Sequence, residues 1–311
     1  MSTTPARAED PRRTAGILAV SFTTVLWGLV PLILKQTTMP ALSFAAYRLW
    51  CGVLVFVVVF AVTGRRLSRA TIRACALGGV LFAVDVACSF LAFQKTSVVD
   101  ATVIGALAPV CIMLGAARWF GERVDRRDLI FVAASLVGVA IVAIGSSGSP
   151  SFGIWGDVFA GISVLSWTAY WLFSKRARAS VGALEYMACV MLVAAVLMTA
   201  MALLSGQGLT PPHGADWGWI WLVTLLPGAT GHVLLAWSHR HVEAWLGSLI
   251  TQCQPVVGSV AAWVLLGESL TLLTIAGGAI VLGATATIVM RSHRRSITGA
   301  VFEPESPAPV G

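Results

Sequence analysis

The sequence predicts an all-α membrane protein in which ten transmembrane helices form two inverted repeats of five helices. Three observations predict this fold: a shortage of charged residues, a series of ten apolar runs, and a pattern that recurs between the two halves of the chain. Of the 311 residues, 57% are hydrophobic and 11% are charged, whereas soluble domains carry about 25% charged residues. So few charges cannot form a water-facing surface, and lipid must therefore surround most of the chain.

Ten apolar runs are each long enough to be a membrane span, since a helix needs about 20 mostly apolar residues to cross about 30 Å of hydrocarbon. The predicted spans are 15–34, 41–62, 74–93, 99–120, 129–145, 153–173, 183–204, 217–238, 244–266 and 272–290. The breaks between them are short, which leaves no room for a soluble domain. The first run is too long for the apolar core of a signal peptide, so we expect a retained first helix.

The distribution of basic residues orients the spans. If the N-terminus is cytoplasmic, nearly all of the 21 lysines and arginines fall in cytoplasmic segments. Only Lys35 and Lys95 fall in outside loops, and Arg48 falls within a span. This alternation predicts a protein of the cytoplasmic (inner) membrane with both termini cytoplasmic. The net charge of +7 then reflects basic loops that face anionic lipid headgroups, and we expect no nucleic acid partner.

The two halves of the chain contain a matching pattern of proline followed by Gly-Glu. Pro109 precedes Glu122 by 13 residues, and Pro255 precedes Glu268 by the same 13. Shorter matches occur in the same order upstream and downstream, so we predict a duplication. Because each copy has an odd number of spans, the second must enter the membrane upside down, an arrangement found in transporters. The predicted division is a cytoplasmic N-terminal segment (1–14), a first five-helix repeat (15–145), a second, inverted repeat (153–290) and a disordered cytoplasmic tail (291–311).

The paired helices with Pro…Gly-Glu, the duplication of five spans and the total of ten resemble the EamA-type members of the drug/metabolite transporter superfamily. The resemblance covers about residues 15–290, nearly the whole chain. It implies that helices one to four and six to nine surround a central cavity, with helices five and ten outside. It also implies a small-molecule substrate, because members of the superfamily carry amino acids, sugars, nucleotide-linked metabolites and drugs.

Charged residues inside the spans are candidates for the functional site, because a charge in the middle of a membrane is costly. Asp85 lies deep in the third span, and its short side chain cannot reach an interface. Arg48, in the second span, either snorkels outward or faces the cavity. If both face the cavity, each would neutralise the other in a low dielectric. His232 lies within about one turn of the position that matches Asp85 in the second copy, and it is either a neutral, hydrogen-bonded histidine or part of a proton relay.

The other predicted substrate-binding residues are aromatic or amide side chains, because small-molecule sites combine apolar walls with a few polar groups. They are Trp27, Trp167, Tyr170, Trp237, Gln252 and Gln254. Trp27 and Trp167 occupy equivalent places in the two copies and are expected to face each other across the cavity; the alternative is that they contact lipid or core. Pro109 and Pro255 lie mid-span, where a proline removes a backbone hydrogen bond, and they are predicted to be hinges, with a static kink as the alternative.

These features predict a secondary transporter that exports a small polar metabolite, such as an amino acid, by alternating access. The chain has no GxxxxGK[ST] motif, so an ion gradient or the substrate's own gradient would supply the energy. The alternatives are a membrane-embedded lipid-modifying enzyme, which would need clustered acid/base residues, and a non-transporting receptor-like protein. We expect no catalytic residue, metal or cofactor. The expected partners are the substrate and the lipid bilayer. Ala134-x-x-x-Gly138 in helix five and Ala279-x-x-x-Gly283 in helix ten are small-residue faces that serve either close packing within the chain or a homodimer through helices five and ten.

Overall fold

The computed structural model describes residues 11–34, 36–122, 124–147, 153–206 and 208–297. Within these ranges the regular structure is entirely helical. The α-helices are α1 (Pro11–Gly28), α2 (Val30–Leu34), α3 (Ala41–Thr63), α4 (Arg69–Lys95), α5 (Val98–Gly105), α6 (Ala108–Phe120), α7 (Arg126–Ser147), α8 (Ile154–Ala177), α9 (Ala183–Leu204), α10 (Asp216–Val223), α11 (His232–Ser238), α12 (Ala244–Thr251), α13 (Gln254–Leu266) and α14 (Leu272–Ile297). A π-helix, Thr224–Gly231, connects α10 to α11. Most of the predicted N-terminal segment and tail, at 1–10 and 298–311, lies outside the described residues.

Nine stretches of the described residues are long and apolar enough to cross a membrane. They are Pro11–Leu34, Ala41–Thr63, Arg69–Ala92, Val99–Phe120, Arg126–Ser146, Ala183–Leu204, Asp216–Ser238, Ala244–Leu266 and Leu272–Arg294. Each overlaps a span predicted from the sequence. The one predicted span that is missing from these nine is the sixth (153–173), which corresponds to α8; its 24 residues would extend about 36 Å but are less apolar. Asp157 and several serines interrupt its apolar run, and Ser166 and Ser174 are buried against neighbouring helices.

Four predicted spans are divided: three consist of two α-helices, the eighth consists of α10, the π-helix and α11, and a proline lies at every break. Pro31 follows the break between α1 and α2, Pro109 that between α5 and α6, and Pro255 that between α12 and α13. Pro227 lies inside the π-helix. A proline has no N–H to donate to the carbonyl one turn earlier, so the helix opens there. The breaks therefore leave carbonyl groups that need other donors, near the middle of three spans and near the end of the first.

The helices of the two halves of the chain intermix. In the described part of the chain α4 packs on α8 and α9, α3 on α9, and α6 on α8, while α1 packs on the π-helix, α11, α12 and α13. The fifth and tenth predicted spans, α7 and α14, pack mainly on each other. A Cβ at Gly277 would lie 2.7 Å from the carbonyl oxygen of Gly138, so α7 and α14 touch through their backbones.

The last helix continues beyond the predicted end of the tenth span. Residues 291–297, predicted to begin a disordered tail, are the last turns of α14. Arg291 donates through Nε to Oδ1 of Asp128 at 2.8 Å, and Asp128 is buried at the start of α7. The prediction of disorder is therefore wrong for 291–297, because an ion pair with α7 extends the helix. At the other end, α1 begins at Pro11, within the predicted N-terminal segment.

Candidate functional site

A cavity of about 460 Å³ lies in the middle of the bundle. Its wall is formed by residues from both halves of the chain, and all four prolines at the helix breaks, Pro31, Pro109, Pro227 and Pro255, line it. Most of the lining is aliphatic or aromatic, with a few charged, hydroxyl and amide side chains. The volume falls within the range of about 300–1,000 Å³ that is typical of small-molecule sites.

Most of the residues predicted for the site line this cavity. They are Trp27, Arg48, Asp85, Pro109, Trp167, His232, Gln252, Gln254 and Pro255. Tyr170 and Trp237 do not. Tyr170 is buried behind the wall, where its ring packs on Phe82 at 5.3 Å and its Oη donates to the sulfur of Met187 at 3.7 Å. The ring of Trp237 packs on that of His241 at 4.3 Å. That the cavity-lining residues bind a substrate stays a prediction.

The acidic side of the cavity is a short hydrogen-bonded chain. Ser163 of α8 donates through Oγ to Oδ1 of Asp85 on α4 at 2.6 Å. The hydroxyl of Ser89, one turn after Asp85 on the same helix, lies 2.8 Å from that of Ser163. Asp85 is thus held by hydroxyl donors and faces a cavity, which matches the expectation for a carboxyl group deep in a membrane span.

The basic side of the cavity is the guanidinium group of Arg48. A Cβ placed at Gly228 of the π-helix would lie 3.9 Å from Nη1 of Arg48, and Thr224 donates to the backbone carbonyl of Arg48 at 3.1 Å. Among the described residues no ion pair joins Arg48 to Asp85, so the predicted pair is not formed. The physical reason is packing: α3 lies against α9 and the π-helix, whereas α4 lies against α8 and α9. Arg48 lines the cavity and does not snorkel outward.

Aromatic rings join the two sides of the cavity. Trp27 and Trp167 meet edge to face with ring centroids 5.6 Å apart. The prediction that they face each other across the cavity is therefore wrong, because the two rings pack directly on each other and lie on one wall. The ring of His232 packs on Trp27 at 4.7 Å and on Phe82 at 4.9 Å. His232 is 6% exposed, and its Nδ1 has no hydrogen-bond partner among the described residues. Trp27 also donates through Nε1 to the carbonyl of Pro227 at 3.0 Å, which supplies a donor to the π-helix.

The two proline breaks that recur in the chain touch each other. In α6, Val110 N–H donates to Leu107 at 3.0 Å, and the carbonyl of Ala106 therefore lacks its usual helical donor. Gln252, at the break between α12 and α13, donates to that carbonyl through Nε2 at 2.7 Å. A side chain from one break thus satisfies a backbone group exposed by the other. This contact gives Gln252 a structural role beside the predicted binding role.

Several cavity residues were not predicted from the sequence. They include Phe82, Ser89, Thr102, Ser163, Pro227 and Thr251. The spacing of the sequence could have predicted two of them. Ser89 lies four residues after Asp85 and Ser163 four residues before Trp167, so each shares a helix face with a predicted site residue. Within the described part of the chain, no three His, Cys, Asp or Glu side chains are close enough to hold a metal ion.

The chain matches the model of the EamA-like transporter family at residues 14–144 and 154–290. It belongs to the EamA-like transporter family. The family resemblance seen in the sequence is thereby confirmed. This EamA-like protein is a multi-pass membrane transporter rather than an enzyme.

Individual relatives agree with this assignment. The pseudopaline exporter CntI of Pseudomonas aeruginosa is 22% identical over 277 residues, which are 87% of this chain and 94% of that protein. An uncharacterized transporter of Archaeoglobus fulgidus is 25% identical over 273 residues, 86% of this chain and 93% of that protein. One solved crystal structure superposes with a TM-score of 0.78 at 19% identity and covers 90% of this chain and 98% of its own. That structure supports the fold of this EamA-like transporter and says nothing of its substrate.

Proposed function

We propose that this EamA-like transporter exports a small polar metabolite, such as an amino acid, across the cytoplasmic membrane by alternating access. The observation that carries the proposal is the central cavity, in which one arginine and one aspartate face the same space without forming an ion pair. A charge that is held away from bulk water without an oppositely charged partner is costly. A substrate that brings the missing partners would remove that cost for both side chains.

A zwitterion fits these two charges. Its carboxylate group would bind Arg48, and its ammonium group would bind Asp85, whose carboxylate is already oriented by Ser163. The aromatic side chains between them, Trp27 and Trp167, would contact the rest of the molecule. The cavity volume of about 460 Å³ admits an amino acid with a large side chain and excludes a macromolecule.

The proposed architecture has ten spans, with α8 as the sixth, and an inverted duplication. Two local features support the duplication. The breaks before Pro109 and Pro255 lie at matching places, and the helices that follow them, α6 and α13, both end at a glycine in the left-handed conformation, Gly121 (φ 65°) and Gly267 (φ 68°). Helices broken near the middle of the membrane are common at transporter binding sites. Rocking of one copy against the other would then expose the cavity to each side in turn.

The proposed location is the cytoplasmic membrane, with both termini in the cytoplasm. The excess of basic residues in alternate loops supports this orientation. Export as the direction is supported by the name of one relative, an exporter, and the energy would come from an ion gradient or the substrate's own gradient.

The homodimer predicted through helices five and ten stays a prediction. Gly138 of α7 and Gly277 of α14 are used for packing within the chain. Ala279 and Gly283 of α14 remain on the exposed face. A dimer through α14 would therefore use Ala279 and Gly283, because Gly138 and Gly277 already pack against each other within the chain.

The transport proposal is tested with inside-out membrane vesicles, into which an exporter moves its substrate. We expect uptake of at least one labelled amino acid from a panel, and a loss of at least about tenfold in Arg48→Met, since a charge-assisted hydrogen bond contributes about 1.5–3 kcal/mol. The control is Arg73→Met, which removes an exposed arginine outside the cavity and should leave uptake unchanged. Equal uptake by wild type and Arg48→Met would refute the assigned site, and no uptake of any polar metabolite would refute the function.

A further inference from the structure

One end of the bundle is closed by ionic contacts that we call the latch, defined by Arg13, Glu122, Lys175 and Glu243. These residues lie at the start of α1, just after α6, near the end of α8 and just before α12. The cavity extends away from them, since its lining reaches Leu34, the last residue of α2. The latch end is the end that the proposed orientation places in the cytoplasm.

The start of α12 is capped by a carboxylate from another helix. The first N–H groups of a helix have no partner within the helix, and the side chain just before it usually supplies one. In α12 that residue is Glu243, which makes no capping hydrogen bond and pairs with Arg13 at 3.0 Å. Instead Glu122 accepts from the N–H of Ala244 at 3.0 Å and from that of Trp245 at 3.4 Å. A negative group is also favourable beside the positive end of the helix dipole.

Lys175 fixes both the capping group and the segment before α12. Its Nζ lies 2.7 Å from Oε1 of Glu122 and donates to the carbonyl of Val242 at 2.8 Å. The side chains of the pair are 18% and 10% exposed. By comparison, Arg65 and Glu185 form a pair that is 47% and 21% exposed. Removal of one partner of the less exposed pair would leave a poorly hydrated charge without its counterion, which costs more than the loss of a surface ion pair.

The latch is connected to the cavity through α12. Trp171, Leu246 and Leu249 are completely or almost completely buried, and they form part of a packed apolar cluster with the start of α12. The same helix ends next to Gln252, which lines the cavity and contacts the break in the first copy. Movement of the start of α12 would therefore disturb the apolar cluster and the cavity wall together.

We propose that Glu122 and Lys175 are positioning residues that hold α12 as the gate at the latch end, an inference that rests on the alternating-access transport proposed above. While the pair is intact, α12 is held against α6 and α8 and the cavity is closed from the latch end. When the pair separates, α12 loses its cap and moves away, the latch end opens and the opposite side closes. Glu122 and Lys175 touch no substrate and act through the position of α12.

The experiment measures maleimide labelling of two reporter cysteines in full-length protein whose six native cysteines are replaced. Ser248→Cys reports on α12, where the native side chain is 1% exposed, and Thr102→Cys reports on the cavity. The maleimide is membrane-impermeant, so each vesicle orientation reports on one side only. In inside-out vesicles, Glu122→Gln and Lys175→Met should raise the labelling rate at Ser248→Cys about tenfold or more, the population change expected for loss of a charge-assisted hydrogen bond. In right-side-out vesicles, where the reagent enters only from the side opposite the latch, both should lower the rate at Thr102→Cys. Lys175→Arg, which keeps the charge, should retain wild-type rates.

The matched control is Arg65→Met, which removes the more exposed ion pair with Glu185 and should change neither rate. An unchanged rate at Ser248→Cys would overturn the proposal. So would a rise there without a fall at Thr102→Cys, because the pair would then only stabilise α12 locally. If the two rates change in opposite directions but vesicles transport no substrate, the gate stands and the transport proposal fails.

Discussion

The contact between the two proline breaks predicts a specific energetic coupling between Gln252 and Pro109. Gln252→Leu removes the 2.7 Å hydrogen bond from Nε2 to the carbonyl of Ala106. An unsatisfied buried carbonyl costs about 1–3 kcal/mol, and the lower half of that range is expected because Ala106 lines the cavity, where water can replace part of the bond. The assay is SDS-induced unfolding in mixed micelles, followed by circular dichroism.

A second substitution isolates the cause of this loss. Pro109→Ala restores an N–H that can donate to Gly105 and lets the helix close, so that Val110 can again donate to Ala106. In that background Gln252→Leu should cost less than about 0.5 kcal/mol, which gives a coupling energy of about 1 kcal/mol, within the range seen for residues that share a partner.

The control for this cycle is Gln254→Leu, which makes the same chemical change two residues away. Gln254 lines the cavity, and its side chain makes no hydrogen bond with other described residues, so the variant should unfold within about 0.5 kcal/mol of wild type. If Gln252→Leu and Gln254→Leu cost the same, or if the Pro109 and Gln252 substitutions are additive, the bond between the breaks does not stabilise the fold.

Three further predictions follow from the cavity and the helix contacts. Asp85→Asn should keep the folded yield, since no ion pair depends on the carboxylate, but should lower uptake by inside-out vesicles at least about tenfold; a low yield with normal uptake would contradict this. Gly277→Leu should lower the free energy of unfolding by about 1–3 kcal/mol, because its Cβ would lie 2.7 Å from the carbonyl of Gly138, and an unchanged unfolding curve would mean that α7 and α14 can separate freely. Trp27→Phe should cost about 1–3 kcal/mol in the same assay by removing the donor to Pro227; no loss would show that another donor replaces it.

The sequence predicted the spans and much of the cavity for physical reasons that are strong in a membrane. A bilayer fixes the length of an apolar run, so nine predicted spans reappear as helices of sufficient length and apolarity. A charge inside a span must avoid lipid, so the sequence indicated an interior position for Asp85. For Arg48 it left outward snorkelling open, and only the structure places that side chain in the cavity wall. The helix breaks at Pro109 and Pro255 were predictable for a similar reason, because a residue without an N–H opens a helix wherever it occurs.

The sequence could not predict which face of each helix points into the cavity or which helices pack against each other. Almost every face of these helices is apolar, so a tryptophan or tyrosine has no preferred side, and Tyr170 and Trp237 proved to lie outside the cavity wall. The predicted pair of Arg48 and Asp85 failed because helices that follow each other in the chain were assumed to lie side by side. The partner of Asp85 is instead Ser163 on α8, a helix from the other half of the chain.

The two proposed copies have specialised in different ways, and this difference bears on how the transporter moves. In the first copy, α4 is a continuous helix of 27 residues that carries Asp85 without a break. Its proposed counterpart in the second copy is divided into α10, the π-helix and α11, and π-helical segments occur frequently at functional sites.

A continuous helix transmits motion as a rigid body, whereas a π-helix can shift its hydrogen bonds by one residue. We therefore expect α4 to keep the acidic side of the cavity fixed while the π-helix beside Arg48 changes shape. Trp27 donates to Pro227 and Thr23 to Gly231, both from α1, and Thr224 of the π-helix donates to the carbonyl of Arg48 on α3. A change in the second copy therefore reaches the first through α1 and α3.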